Sequence, residues 1–287
     1  WGSASSGGAS EIDDLSDGLI EDHSLYLGNN PSSTTSTAQY NVALGTTALD
    51  AITTGDSNLG LGYNALTANT TGTRNIAIGN GALDAPDTEN DNLAIGYDAL
   101  GGSIAGATGN IAIGNYAMDV TTSGIRNVAI GYRALSANTT GGYNTAVGYD
   151  AMLLNTEGLL NTAVGHQALN KNTTGNNNTV VGINSMLDNT TGIQNSAFGT
   201  DALPRNTTGG YNTALGGYAL TTSTTASYNT AVGWGSLYAN TTGTRNIAMG
   251  YRALDAPDTE NDNLAIGYDA LGGSIAGGEY NVAIGNY

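Results

Sequence analysis

The apolar positions of this chain recur with a period of 17. A unit reading Asn, apolar or Thr, small, aliphatic, Gly begins at Asn41, Asn58, Asn75, Asn92, Asn110, Asn127, Asn144, Asn161, Asn178, Asn195, Asn212, Asn229, Asn246, Asn263 and Asn281. Every interval is 17 residues except Asn92 to Asn110 and Asn263 to Asn281, which are 18 and contain GGSIAG. In Asn75-Ile76-Ala77-Ile78-Gly79 the second and fourth positions alternate with a small third, the period-2 pattern of a strand. Val, Ile and Thr supply β-branching, Leu or Met follows at position nine, and NTTG turns begin at Asn69, Asn138, Asn172, Asn189, Asn206 and Asn240. Units of this kind stack into coils.

The fold class this predicts is all-β, a parallel β-solenoid (β-roll) of about sixteen 17-residue coils. The expected organisation is an acidic flexible leader over 1–23, a degenerate capping coil over 24–40 and the repeat β-roll over 41–287, which stops mid-repeat. The leader carries Glu11, Asp13, Asp14, Asp17, Glu21 and Asp22, and the opening WGSASSGGAS reads as a linker, tag remnant or processed end. A longer repeat is also present: a 37-residue segment from Thr70 recurs nearly unchanged from Thr241, an offset of 171.

The alternation predicts that positions two, four and nine face inward and the small third residue outward. That places Ala43, Ala77, Ala94, Ala112, Ala129, Ala146, Ala163, Ala197, Ala214, Ala231, Ala248 and Ala265 on a flat outer stripe. The stripe is the expected interface of an intertwined homotrimer. The Gly at position five calls for positive φ or close backbone approach, and the Asn at position one for an internal amide ladder.

Composition narrows the chemistry. Lys and Arg number 7 against 24 Asp and Glu, a net charge of −17, which argues against phosphate-rich nucleic acid and anionic membranes. Zero Cys and 2 His remove thiol chemistry and leave little for His-dependent catalysis. No enzyme activity and no cofactor are expected. Position six is aromatic at Tyr63, Tyr97, Tyr132, Tyr149, Trp234, Tyr251 and Tyr268, with His166 in the same column, a ladder suited to stacking on sugar rings or on itself. Tyr143, Tyr211, Tyr228 and Tyr280 form a second row. Asp87, Glu89 and Asp91 are weak candidates for Ca²⁺, set against a solvated acidic turn. The Asn-Thr-Thr sites match the glycosylation sequon, here read as turn preference.

NIAIG, NTAVG and NVAIG, each followed by Ala-Leu, resemble the head repeats of trimeric autotransporter adhesins. The resemblance implies a left-handed parallel β-roll with three chains entwined. The pattern ALxxNTTGxxNTAVGY is also similar to repeats of phage tail-fibre proteins and of trimeric adhesive fibres from predatory and gliding bacteria. The likeness covers roughly residues 24–287, departs in its longer unit and NTTG turn, and shows no stalk heptads or anchor strands. The expected function is therefore a non-enzymatic extracellular or cell-surface fibre segment of a trimeric adhesin. Its expected partners are its own copies and the glycans or polymers of a target surface, with no nucleic acid and no membrane insertion. The alternative is a phage or injection-apparatus tail-fibre shaft for host recognition. A minor one is an ice-binding solenoid on the Thr pairs, such as Thr70 and Thr71.

Overall fold

The computed structural model describes residues 18–21, 23–28 and 37–287. The chain is all-β, a parallel β-solenoid of about 15 turns with 17 strands and no helix among the described residues. It divides into two compact units, Trp1–Ile130 and Gly131–Tyr287.

In the first unit, β1 (Gly18–Glu21) pairs antiparallel with β2 (Ser24–Leu27). Residues 18–21 fall inside the segment expected to be a leader and instead form a strand; Glu11, Asp13, Asp14, Asp17 and Asp22 lie outside the described residues. Strand β2 then pairs in parallel with β3 (Val42–Leu44), so the degenerate coil does contribute its strand. From β3 to β8 (Val128–Ile130), each three-residue strand pairs in register with the next. The second unit repeats the arrangement from β9 (Thr145–Val147) to β17 (Val282–Ile284).

The sheet faces the opposite way from the sequence-based expectation. Ala43, Ala77, Ala94, Ala112, Ala129, Ala146, Ala163, Ala197, Ala214, Ala231, Ala248 and Ala265 are all enclosed within the chain's own coils, none more than 1% exposed. They meet the buried Ala of position eight and Leu or Met of position nine. Positions two and four point outward, with Val42, Leu44, Leu61, Val181, Phe198, Leu215 and Met249 exposed. The reason is the width of the interior. At Gly60, which takes the third position of its coil, an added Cβ would lie 3.2 Å from the Ala65 carbonyl oxygen and 3.5 Å from Leu49 Cγ. A methyl fits there, and in most coils the branched side chains occupy the outer face; Val180, and Tyr26 at the equivalent place in β2, are larger third-position side chains that are buried. The Ala stripe is therefore not an intermolecular surface.

Closing a coil this narrow demands left-handed corners. Leu at position nine adopts φ of 55° at Leu66, 52° at Leu169 and 52° at Leu203, a conformation that costs a bulky L-residue roughly 1–2 kcal/mol. The side chain is retained because it fills the interior. At position five glycine is needed twice over: Gly182 has φ 140°, and its Cβ would sit 2.3 Å from the Gly199 carbonyl oxygen.

The position-one Asn ladder forms as expected, with a refinement. Within each unit the Oδ1 accepts the next Asn backbone N–H, as from Asn178 to Asn161 at 2.9 Å, and the Nδ2 donates to a carbonyl across the coil, as Asn161 to Gly175 at 2.8 Å. The NTTG turns hide a second ladder, Asn138, Asn155, Asn172, Asn189 and Asn206, joined by Nδ2–H···Oδ1 bonds of 2.7–2.9 Å. These side chains are fully buried, so the sequon at Asn138, Asn172, Asn189 and Asn206 has no accessible acceptor. Where the next coil lacks Asn at this position the ladder ends. Asn206, Asn69 and Asn240 face coils carrying Ser223, Pro86 and Pro257, and their Oδ1 atoms are left without a hydrogen bond.

Two outcomes are expected. Ala214→Leu should lower stability by about 1–3 kcal/mol through overpacking, while Thr213→Leu, one residue away on the outer face, should leave the melting temperature of the single chain nearly unchanged. The reverse order in thermal circular dichroism would turn the sheet back over. Separately, Ser223→Asn with Ala226→Gly should complete the second ladder, because in the other turns a Cβ at the Gly position would strike the Asn Oδ1, at 2.4 Å for Gly192. Each buried bond gained is worth about 1 kcal/mol, so the double variant should melt higher than the parent.

Candidate functional site

The aromatic column lies at the corner after the position-five Gly, where a backbone reversal pushes side chains outward. In the second unit it forms two runs. Tyr132, Tyr149 and His166 stack at 5.2 and 5.3 Å between ring centroids, and Trp234, Tyr251 and Tyr268 at 5.2 Å each, with interplanar angles of 9–21°. In the first unit Tyr97 meets Tyr116 edge-on at 5.3 Å. Tyr63 is in register with Thr46 and Asn80 rather than with rings. In the second Tyr row, Tyr211 and Tyr228 stack nearly parallel, with centroids 4.8 Å apart.

Stacking determines what such a ladder can bind. Rings spaced by one coil turn their faces toward each other and leave edges to solvent, so a ligand needs a run's end or a gap. One run ends in that way. Trp234 stacks on Tyr251 on one side, while the column position on its other side is Gly217, whose Cβ would lie 3.4 Å from Trp234 Cδ1. Beside this end Gly235 opens a hollow of about 270 Å³, walled by Tyr218, Trp234, Tyr238 and Tyr251, with Arg252 and Asp255. Trp234, Tyr251 and Tyr268 are legible as a column in the sequence. The grouping of Tyr218, Tyr238, Arg252 and Asp255 is not, because it joins positions seven and ten across three successive coils. A signal did exist: across the 37 residues shared by the duplicated segments only three positions differ, and two of them are Tyr251 and Arg252.

The proposed calcium ligands are not brought together. Glu89 spends its carboxylate on the backbone N–H groups of Asp87, Thr88 and Gly106 at 2.8–3.0 Å. Asp91 is paired with Arg74 at 2.6 Å, and Asp87 accepts from the Thr70 hydroxyl. Among the described residues no three His, Cys, Asp or Glu converge as a metal set. The acidic turn is a self-satisfied corner. Ion pairs elsewhere follow the coil: Arg133–Asp150, Lys171–Asp188 and Arg245–Asp262 are each 17 residues apart, at 2.7–2.8 Å. Thr173, Thr190 and Thr207 likewise donate their hydroxyls to carbonyls of the following coil at 2.9–3.0 Å. That row spends its hydroxyls internally, while the second Thr of each pair, as at Thr174, Thr191 and Thr208, is exposed.

Compared with models of protein families, with characterised proteins and with solved structures, the chain matches none. No helix is long and apolar enough to cross a membrane among the described residues.

Glu260 yields a pH prediction. It holds the same turn position as Glu89, and the N–H groups of Gly277, Asp258 and Thr259 hold its carboxyl below the ordinary value. A lowered native pKa means the unfolded chain binds the proton more readily. The stabilisation is full above the unfolded Glu value of about 4.3 and is lost as pH falls through the native one. Glu260→Gln should cost about 1–2 kcal/mol at pH 7 and show a shallower stability loss on acidification in melts run from pH 7 to 3.

Proposed function

We propose that this chain is a segment of a three-chain extracellular fibre that carries attachment to a surface, with no catalytic role of its own. The observation that carries the reading is the outward sheet face. In the first unit positions two and four are apolar from β3 to β8, among them Val42, Leu44, Leu61, Ile76 and Ile130, all exposed. In the second unit position four stays apolar through Val181, Phe198, Leu215 and Met249. Single exposed apolar residues need no explanation, but rows of them, in register on a flat sheet, call for a partner. A second and third copy present identical rows at identical spacing and can match them coil for coil. The interface is thus transferred from the Ala stripe to the aliphatic face. Three chains with a repeated side surface also provide multivalency, which raises avidity without any new contact. The tail-fibre shaft uses the same face in the same way and differs in what the segment is joined to.

The test is the solution mass. Light scattering on a gel-filtration peak should give about 87 kDa, three chains of 28.9 kDa. Placing lysines on the outer face, as Leu215→Lys with Met249→Lys, should return a folded species near 29 kDa with an unchanged β spectrum. A parent chain that runs as a monomer would overturn the trimer.

A further inference from the structure

We propose that the hollow around Gly235 is a binding site for a neutral pyranose ring, as the free sugar or as the exposed end of a glycan. The inference gives the attachment reading a ligand class, yet every residue in it comes from one chain, so it does not need the trimer.

The site is a gap in the ladder. Position seven carries Tyr218 in one coil, Gly235 in the next and Arg252 in the one after. The missing side chain leaves a hollow of about 270 Å³, below the usual range for drug-sized ligands and suited to a single ring. Its walls are aromatic. Trp234 lies flat on Tyr251, at 12°, and Tyr218 leans across Trp234 at 59° with centroids 5.6 Å apart, giving apolar surfaces at two inclinations for the C–H faces of a sugar.

The polar pair gives the orientation. Asp255 has a side chain only 6% exposed; its Oδ2 accepts from Arg252 Nε at 2.6 Å, and its buried Oδ1 has no hydrogen-bond partner. A buried carboxylate oxygen without a donor costs free energy; Oδ1 is closed to solvent as it stands, and turning the carboxylate toward the hollow would let a sugar hydroxyl supply that donor. Arg252 uses Nε on Asp255, so its terminal N–H groups stay available to ring or hydroxyl oxygens. The pair is neutral overall, which selects a polyol over an ion. It also departs from the molecule's habit: the neighbouring arginine Arg245, like Arg133, reaches Asp 17 residues on, whereas Arg252 bonds within its own coil, to Asp255.

The duplicated segment is an internal reference. Its equivalent carboxylate, Asp84, also has an unpartnered Oδ1, but Asn80 and Gly81 stand where the second segment has Tyr251 and Arg252. There burial, with the charge of Asp98 adding, pushes the Asp84 carboxyl up toward its protonated form. In the second segment Arg252 supplies a positive partner and the aromatic wall is added. Two of the three changes between the segments thus build this one place.

The test is a titration with methyl glycosides of glucose, galactose, mannose and N-acetylglucosamine. Trp1 and Trp234 are the two tryptophans, so in a Trp1→Phe background the emission reports the wall of the site. One glycoside should give a saturable emission change and matching calorimetry, with a dissociation constant in the millimolar range for so small a ligand. Gly235→Gln should fill the hollow and weaken binding at least tenfold; Gln167 already occupies position seven at φ 54°, close to the 63° of Gly235, so folding should survive. Asp255→Ala should weaken binding similarly, and Tyr149→Ala, in the other run, should leave it unchanged. No saturable binding of any glycoside, or binding undiminished in Gly235→Gln, would overturn the site. Saturation by tetramethylammonium in place of the glycosides would make it a cation cage and overturn the sugar assignment. A monomeric mass would leave the inference standing, whereas lost glycoside binding would leave the trimer standing.

Discussion

Stacking at hydrogen-bond distance, with a repeat of one coil, is the constraint on which the rest of this structure depends. Each strand residue stands in register with the one 17 or 18 residues on, and most backbone bonds run to the adjacent coil, so whatever a residue needs, the next coil must supply in the same place. The interior that results is narrow. A third-position methyl fills it in most coils, the position-five glycines pass too close to one another to admit a Cβ, and Leu at position nine accepts a left-handed backbone so that its side chain can close the core. Hydrophobic burial still drives the packing, but available width decides which apolar side chains are buried.

The same constraint explains the polar chemistry. A buried amide is costly when unpaired, and stacked identical amides pair without any special arrangement. The Asn rows are therefore continuous where the sequence is periodic, and they end in bare oxygens where Ser223, Pro86 or Pro257 interrupts them. Surface charges obey the rule too, with Arg or Lys in one coil and Asp in the next. Where both partners are exposed, as in Arg74–Asp91, such a pair stabilises little; its value is as a record of register.

Distinct chemistry arises only where the periodicity fails. Repetition produces rows, and rows of stacked rings consume their own faces. Gly217 and Gly235, standing where other coils place larger side chains, leave the end of a ring run and an adjoining hollow open, and Arg252 turns aside from the coil-to-coil pattern into that hollow. The acidic turns show the contrary case. Glu89 and Glu260 replace the turn glycine and satisfy three backbone donors each, so their carboxylates are spent on holding the corner.

The amino-acid order by itself determined the period, the coil, the parallel register, the position-five glycine and the first Asn ladder, because each depends on residues that recur at fixed spacing. It also placed the aromatic column. It did not determine which face of the strand is inside: alternation is symmetric, and only the tertiary width of the coil, set by the Leu of position nine and the Ala of position eight, selects Ala43 and its equivalents over Val42 and Leu44. Nor could it show the NTTG asparagines as a buried ladder or the grouping of Tyr218, Trp234, Tyr238, Arg252 and Asp255. Those residues occupy different positions in successive coils, and only the stacking of one coil on the next brings them to a single place.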